Sequence, residues 1–383
     1  MFVCNTYPGQ REDWLPFAAG TSPAVARLRR VDCSGPGIRR RRRGKGFEYL
    51  DEEGRRIAEP TVLERIRELA IPPAWEDVWI CPYPRGHIQA TGVDDAGRKQ
   101  YRYHDRWRER RDREKFDSMT SFARALPRLR RRVASDLTRP GMPREKVLAC
   151  AARLLDRGFF RIGSEDYAEE NDTYGIATMR KRHVTVAGDE VSFDYESKGG
   201  RRRLQSIGDP DVAEIVDALK RRRGGGEELL AYKERGRWVN VRSADINEYV
   251  REAAGGDFTA KDFRTWSGTV LAAVALAVSA PAQGTATARK RAKTRAIKEV
   301  AHHLGNTPAV ARSSYIDPRV FDRFDGGLTI AGALPELADE VETWPDVHRE
   351  IEEGVLDLIE RDTDSDAIGK AGELAKELRE AVV

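Results

Sequence analysis

Cysteine is sparse in this chain: Cys4, Cys33, Cys81 and Cys150 stand far apart among 383 residues. None forms a CxxC pair or has a histidine couple nearby, which argues against a zinc site or a disulfide framework and for reduced thiols. Long hydrophobic runs are lacking too. The longest, Gly268 to Ala282, has fifteen residues and includes Ser279 and Pro281. That is too short to cross a hydrocarbon core of about 30 Å and suits a buried helix, so no membrane partner is expected. Residues 1–22 read as a loose leader without a charged-then-apolar signal, so a cytoplasmic protein is expected. With 40% hydrophobic and 34% charged residues and a mean hydropathy of −0.62, the chain is long enough for two packed domains.

Charge is present in quantity, unevenly. From Leu334 to Val383 there are 16 Asp/Glu and 5 Lys/Arg, a balance of −11, so a net charge of +4 leaves +15 on the other 333 residues. Basic residues cluster at Arg39–Arg43, Arg128–Arg132, Arg201–Arg203, Lys220–Arg223 and Arg289–Arg295. A single charge run reads as a solvated face. Five on one body point to a polyanionic partner, and nucleic acid fits best.

From Leu28 to about His104, β-like pieces alternate with turns: Phe47–Leu50, Val78–Cys81 and His87–Thr91, with one helix over Pro60–Ala70. The stretch Arg106–Lys115 is almost wholly charged and reads as a linker or an exposed helix start. Helical patterns follow over Phe116–Leu137, Pro143–Arg157, Asp211–Arg222, Ser243–Glu252 and Thr265–Val278. One β-hairpin, His183 to Tyr195, turns at Gly188. The expected fold class is α+β: a small β-rich amino-terminal domain and a larger, mainly helical domain with a β-hairpin. The expected divisions are a leader (1–22), the β-rich domain (23–104), a linker (105–117), the larger domain (118–333) and an acidic segment (334–383).

Three motifs stand out. Phe159-Phe-Arg-Ile-Gly163 runs on to Glu170-Asn-Asp-Thr-Tyr-Gly175; Lys261-Asp-Phe-Arg-Thr-Trp266 opens the apolar helix; and Leu304-Gly-Asn-Thr-Pro308 leads to Tyr315. Taken singly, Arg161 reads as a surface cation, Arg264 as an ion-pair partner and Tyr315 as a half-buried aromatic. In this order they resemble the catalytic domain of type IB DNA topoisomerases, in the compact poxvirus-like and bacterial branch. The resemblance spans roughly Val25 to Pro318 and includes His87-Ile-Gln-Ala-Thr-Gly and Lys99-Gln-Tyr-Arg-Tyr.

What the resemblance implies is transient nicking of one strand of duplex DNA and resealing, with no cofactor, ATP or metal. Tyr315 is the implied nucleophile, forming a 3′-phosphotyrosyl link. A phenol of pKa about 10 needs a positive site to attack at neutral pH, and Arg161 and Arg264 are the implied cations. Lys198, followed by Gly199-Gly200, matches the family's hairpin-tip lysine and is the implied acid for the departing 5′ oxygen. Viral members carry histidine where this chain has Asn306; an amide can donate a hydrogen bond to a phosphate oxygen but cannot move a proton. His302 and His303 read as packing or hydrogen-bonding residues.

Candidate DNA contacts are Gln100, Tyr101 and Tyr103, whose alternative is packing within the β-domain, together with Arg39, Arg40 and Arg41. The implied partner is double-stranded DNA, held by a monomer closing as a clamp, on the cytoplasmic nucleoid. Two other readings compete. A tyrosine recombinase would carry a His-x-x-Arg box where this chain has Asp262-Phe-Arg-Thr-Trp, and a helical rather than β-rich amino-terminal domain. An architectural DNA-binding protein would not need the full set of polar residues. Leu334, Leu337, Leu356 and Leu358 are possible docking points for the acidic segment.

Overall fold

The computed structural model describes residues 27–165, 168, 172–279, 285–334, 344–361 and 364–370. The 1–22 leader, Cys4, Glu170, Asn171 and Leu337 lie outside them. The chain forms two compact units that divide at Arg113/Glu114.

The first unit is built on a five-stranded antiparallel sheet of β1 (Ile38–Arg43), β2 (Gly46–Leu50), β3 (Glu76–Ile80), β4 (Ile88–Val93) and β5 (Lys99–Tyr103), in the order β2-β1-β3-β4-β5. The helix α1 (Pro60–Glu68) starts on Pro60, whose missing N–H costs nothing in a first turn. It sends Ile66 into a small core with Ile38, Val78, Ile80 and Ala90. β5 alternates: Lys99, Tyr101 and Tyr103 are exposed while Gln100 and Arg102 turn inward.

The long helix α2 (Asp105–Leu137) begins in the first unit and continues into the second. The stretch 105–117, whose charged part Arg106–Lys115 reads above as a linker or an exposed helix start, is the opening of this helix. Arg, Glu and Lys are good helix formers, and the segment extends a helix already nucleated by Phe116, Met119, Phe122, Ala123, Leu126, Leu129 and Val133, which bury one face at i, i+3, i+4 spacing.

In the second unit α3 (Arg144–Gly158) is buried along its middle, Val147 to Ala152. Each large side chain removed from water there contributes about 1.5–3 kcal/mol. Strands β6 (Val184–Ala187), β7 (Glu190–Ser197) and β8 (Arg201–Gly208) form an antiparallel sheet, and β9 (Ala231–Glu234) pairs with β10 (Arg237–Asn240). The hairpin read in the sequence is therefore the first two strands of three. Helices α4 (Pro210–Arg221), α5 (Ser243–Ala254), α6 (Ala260–Val278), α7 (Ala286–Leu304), α8 (Pro308–Ser314), α9 (Pro318–Asp325) and α10 (Trp344–Glu360) complete the body, with a short pair β11 (Leu328–Thr329) and β12 (Gly369–Lys370). Among the described residues no helix is long and apolar enough to cross a membrane.

The described part of the acidic segment packs against this body. On α10, Val355, Leu358 and Ile359 are buried, and Leu334 and Leu356 pack on the same core. Glu352 accepts hydrogen bonds from Arg130 Nη1 (2.6 Å), Arg130 Nη2 (2.9 Å) and the indole Nε1 of Trp266 (3.1 Å).

Candidate active site

Arg161 lies just beyond α3, which ends on Phe159 in the left-handed region (φ 54°). The Arg161 carbonyl accepts from Ile176 N (2.9 Å), and Ile162 accepts from Ala177 N (2.7 Å). Gly175 is needed for this approach, because a Cβ there would stand 2.4 Å from Gly163 N. Held this way, the Arg161 guanidinium reaches across to Asn306, donating from Nη2 to the amide Oδ1 and, at 3.4 Å, to the Gly305 carbonyl.

Arg264 stands in the second turn of α6, 4% exposed. Its Nη1 donates to the Phe159 carbonyl and its Nη2 to Leu304 O at 2.8 Å. Both are carbonyls at helix ends, where orphan acceptors and negative dipole ends concentrate. The guanidinium carbon lies 5.2 Å from the centre of the Tyr315 ring. Burial, then the nearby charge of Arg161, brings the Arg264 pKa down to about 10. It remains a cation at neutral pH.

Tyr315 is the half-buried residue that ends α8. Its backbone lies against α6: a Cβ on Gly268 would stand 2.6 Å from Tyr315 O. The Thr269 hydroxyl lies 3.4 Å from that oxygen and accepts from Asp317 N at 3.1 Å. Burial alone would raise the phenol pKa. The Arg264 and Arg161 charges, with a smaller part from Lys261, outweigh it, and the pKa is lowered.

Asn306 follows Gly305, the left-handed cap of α7 (φ 60°). Its Oδ1 is occupied by Arg161, whereas its Nδ2 is buried without a partner. Among the described residues four buried side-chain atoms lack a hydrogen-bond partner, and two of them, Arg264 Nε and Asn306 Nδ2, belong to this cluster. A buried unsatisfied donor costs about 1–3 kcal/mol. Two in one place mark unused capacity for an anion's oxygens.

Lys198 opens the exposed three-residue turn between β7 and β8, followed by Gly199 and Gly200 at φ 85° and 67°, a conformation that favours glycine. Arg203 of β8 braces this hairpin to the end of α7, donating to His302 O (3.0 Å) and His303 O (2.6 Å). Sequence reading placed Arg203 in a basic run and missed that role; nothing in its local spacing signals it. His302 is exposed, and His303 pairs with Glu299 at 3.1 Å and packs near Phe159. Among the described residues no group of three or more His, Cys, Asp or Glu is placed to hold a metal ion.

In the first unit the candidate DNA residues separate into two kinds. Tyr101 and Tyr103 are 41% and 38% exposed and stacked, with ring centres 5.9 Å apart. Arg39 and Arg41 are exposed, and Arg41 pairs with Glu48 at 2.7 Å. Arg40 instead donates to the carbonyls of Pro72 (3.0 Å) and Trp75 and lies over the Phe47 ring. Gln100 donates to Asp94 at 2.8 Å. These last two hold the sheet together.

Comparison with known proteins places similar chains in one group. The family described as "Eukaryotic DNA topoisomerase I, catalytic core" matches residues 104–325, more than half of the chain, and "Bacterial DNA topoisomerase IB, N-terminal domain" matches residues 46–94. A DNA topoisomerase 1B of Acanthamoeba polyphaga mimivirus is 32% identical over 288 residues, covering 73% of this chain and 85% of that protein. A DNA topoisomerase 1 of Daucus carota is 25% identical over 129 residues, 33% of this chain and 15% of that protein. The DNA topoisomerase 1B of Vaccinia virus (strain Copenhagen) is 22% identical over 108 residues, 28% of this chain and 34% of that protein.

Proposed function

The chain belongs to the type IB DNA topoisomerases, and from that premise we propose that Tyr315 is its nucleophile, with Arg161, Arg264, Asn306 and Lys198 completing the site. The observation that carries this reading is the pairing of a phenol with a lowered pKa and a buried guanidinium 5.2 Å from its ring. The Tyr315 oxygen attacks a phosphodiester phosphorus as its proton leaves to solvent. The bond to the 5′ oxygen breaks, and Lys198 protonates that oxygen. The product is a 3′-phosphotyrosyl ester and a free 5′ hydroxyl.

During the step, charge accumulates on the nonbridging oxygens. Arg161 and Arg264 stay cationic throughout, and the partnerless Arg264 Nε and Asn306 Nδ2 are the donors that such oxygens would take up. Because helix-end carbonyls already fix Arg264, little reorganisation accompanies the reaction. The ester conserves the bond energy, so religation is the reverse step and needs no ATP. Between the two steps the free strand swivels, which relaxes positive and negative supercoils alike.

Binding to duplex DNA is assigned in the first unit to Tyr101, Tyr103, Arg39 and Arg41. Arg40 and Gln100 support the sheet that presents them. A monomer closing as a clamp on nucleoid DNA in the cytoplasm is the accompanying assignment. Negatively and positively supercoiled plasmids, incubated with the protein in EDTA without ATP, test the reading. Relaxation of both by wild type but not by Tyr315→Phe is the expected result. No relaxation by wild type, with plasmid binding intact, overturns it.

A further inference from the structure

The segment carrying Tyr315 is gripped from two sides. One side is α6, through Gly268 and Thr269, as described above. The other is α2, at the first residues the helix contributes to the catalytic unit. Lys115 Nζ donates to the Ser314 carbonyl, the peptide group immediately before Tyr315, and lies 6.0 Å from the centre of the Tyr315 ring. Its neighbour Phe116 offers its carbonyl to Arg319 Nη2 at 2.9 Å, and Asp117 Oδ1 accepts from Arg319 Nη1 at 3.2 Å. Arg319 in turn holds both oxygens of the fully buried Asp317, at 2.7 Å from Nη2 and 3.0 Å from Nε. Three consecutive residues of α2 thus clasp the chain on either side of Tyr315, one residue before it and four after.

We propose that Lys115 is a positioning residue for Tyr315: it fixes the peptide from which the phenol projects, and the Phe116–Asp117 grip on Arg319 fixes the far side. The proposal rests on Tyr315 being the nucleophile and adds the residue that aims it. Three observations carry it. The contact is made to the backbone of the adjoining residue, so its loss frees the torsions that set the phenol's direction. Ser314 and Tyr315 lie at the end of a seven-residue helix, too short to hold its last turn rigid unaided. The stem of Lys115 is half-buried, with Nζ 4.5 Å from the Phe116 ring, so the ammonium is oriented rather than free to sweep.

A nucleophile displaced by about 1 Å loses up to about 100-fold in rate. In single-turnover cleavage of a nicked-duplex suicide substrate, Lys115→Met should therefore slow adduct formation by about 10- to 100-fold. Religation of a preformed adduct should slow by a similar factor, and DNA affinity should stay within about twofold of wild type. Lys115→Arg, which retains a donor, should recover part of the rate.

A substrate with a 5′-bridging phosphorothiolate separates positioning from proton donation, because its sulfur leaves without protonation. Lys115→Met should be equally slow on it, whereas Lys198→Met should be rescued. Rescue of Lys115→Met by the sulfur substrate would overturn the proposal and make Lys115 an acid. Cleavage within about twofold of wild type would overturn it as well, as would a loss that follows lowered DNA affinity. Asp117→Asn, at an exposed position, gives a second reading of the same grip and should slow cleavage less than Lys115→Met does. Failure of the wild type itself to form an adduct at Tyr315 would instead overturn the assignment of the nucleophile.

Discussion

The two units treat their polar residues in opposite ways. In the catalytic unit the side chains around Tyr315 are largely fastened to backbone, with Lys198 on its exposed turn the exception. Arg264 is 4% exposed and bonded to two carbonyls, Arg203 holds two more, and Tyr315 is set against Gly268. In the first unit the residues assigned to DNA stand out from the sheet. Tyr101 and Tyr103 stack on each other at the surface, and exposed Arg41 pairs with its strand neighbour Glu48. Bond breaking requires groups held within a fraction of an ångström. Gripping a polyanion requires many adaptable charges, each contributing little. One unit should therefore be brittle to substitution and the other tolerant.

The largest expected effects lie in the brittle unit. Tyr315→Phe should form no covalent adduct, and Arg264→Ala should lose about 100- to 1000-fold in single-turnover cleavage. Both should bind plasmid as wild type does; if binding falls with the rate, the residues serve affinity rather than chemistry. Gly268→Ala comes next. The added methyl meets Tyr315 O at 2.6 Å, so the nucleophile segment must move. A destabilisation of about 1–3 kcal/mol, read by thermal melting, should accompany slower cleavage. Unchanged cleavage would mean that the α6 contact does not set the position of Tyr315.

A smaller effect concerns pH. The phenol pKa is lowered, so the phenolate fraction at neutral pH exceeds that of free tyrosine and the cleavage rate should climb with pH towards that lowered value. Asn306 does not titrate, so the wild-type profile should lack an inflection near about 6.5, whereas Asn306→His should acquire one. A wild-type inflection there would contradict the donor-only role. The smallest effects belong to the tolerant unit. Replacing Arg39 and Arg41 with Gln should leave the bond-breaking step unchanged in the bound complex. It should flatten the salt dependence of binding by about one unit of slope per lost phosphate contact; an unchanged slope would remove these arginines from the interface.

The same contrast explains what could be read from the sequence. The candidate residues Arg161, Arg264, Asn306 and Tyr315 stand out in the sequence because they lie in short motifs whose order resembles that of a known family. The first hairpin, β6–β7, shows in the sequence as a period-two alternation around Gly188, whereas β8 does not, and Lys198 at the β7–β8 turn is singled out by the family resemblance alone. The supports do not stand out. Gly268 sits in a run of small and apolar residues, and nothing local reveals that a carbonyl 47 positions later needs its missing Cβ. Lys115 closes a charged run that reads as a linker or an exposed helix start, because the apolar face of α2 becomes visible only from Phe116 onward. Glu352 belongs to an acidic segment whose composition suggests solvent, yet its carboxylate joins Arg130 to Trp266, two residues beyond Arg264. Arg40 shows the reverse case: in a run of five arginines it looks like a phosphate contact, but strand alternation turns it inward to two carbonyls. Contacts between residues distant in sequence leave no periodicity behind.

Trapping the covalent intermediate is the most direct check on Tyr315. A suicide duplex carrying a nick near the cleavage point should leave the DNA attached to protein, and digestion should yield one labelled peptide. The expected label is a 3′-phosphate ester on Tyr315, absent from Tyr315→Phe and formed in EDTA. A label on another residue, a 5′ linkage, or an adduct that survives in Tyr315→Phe would contradict it.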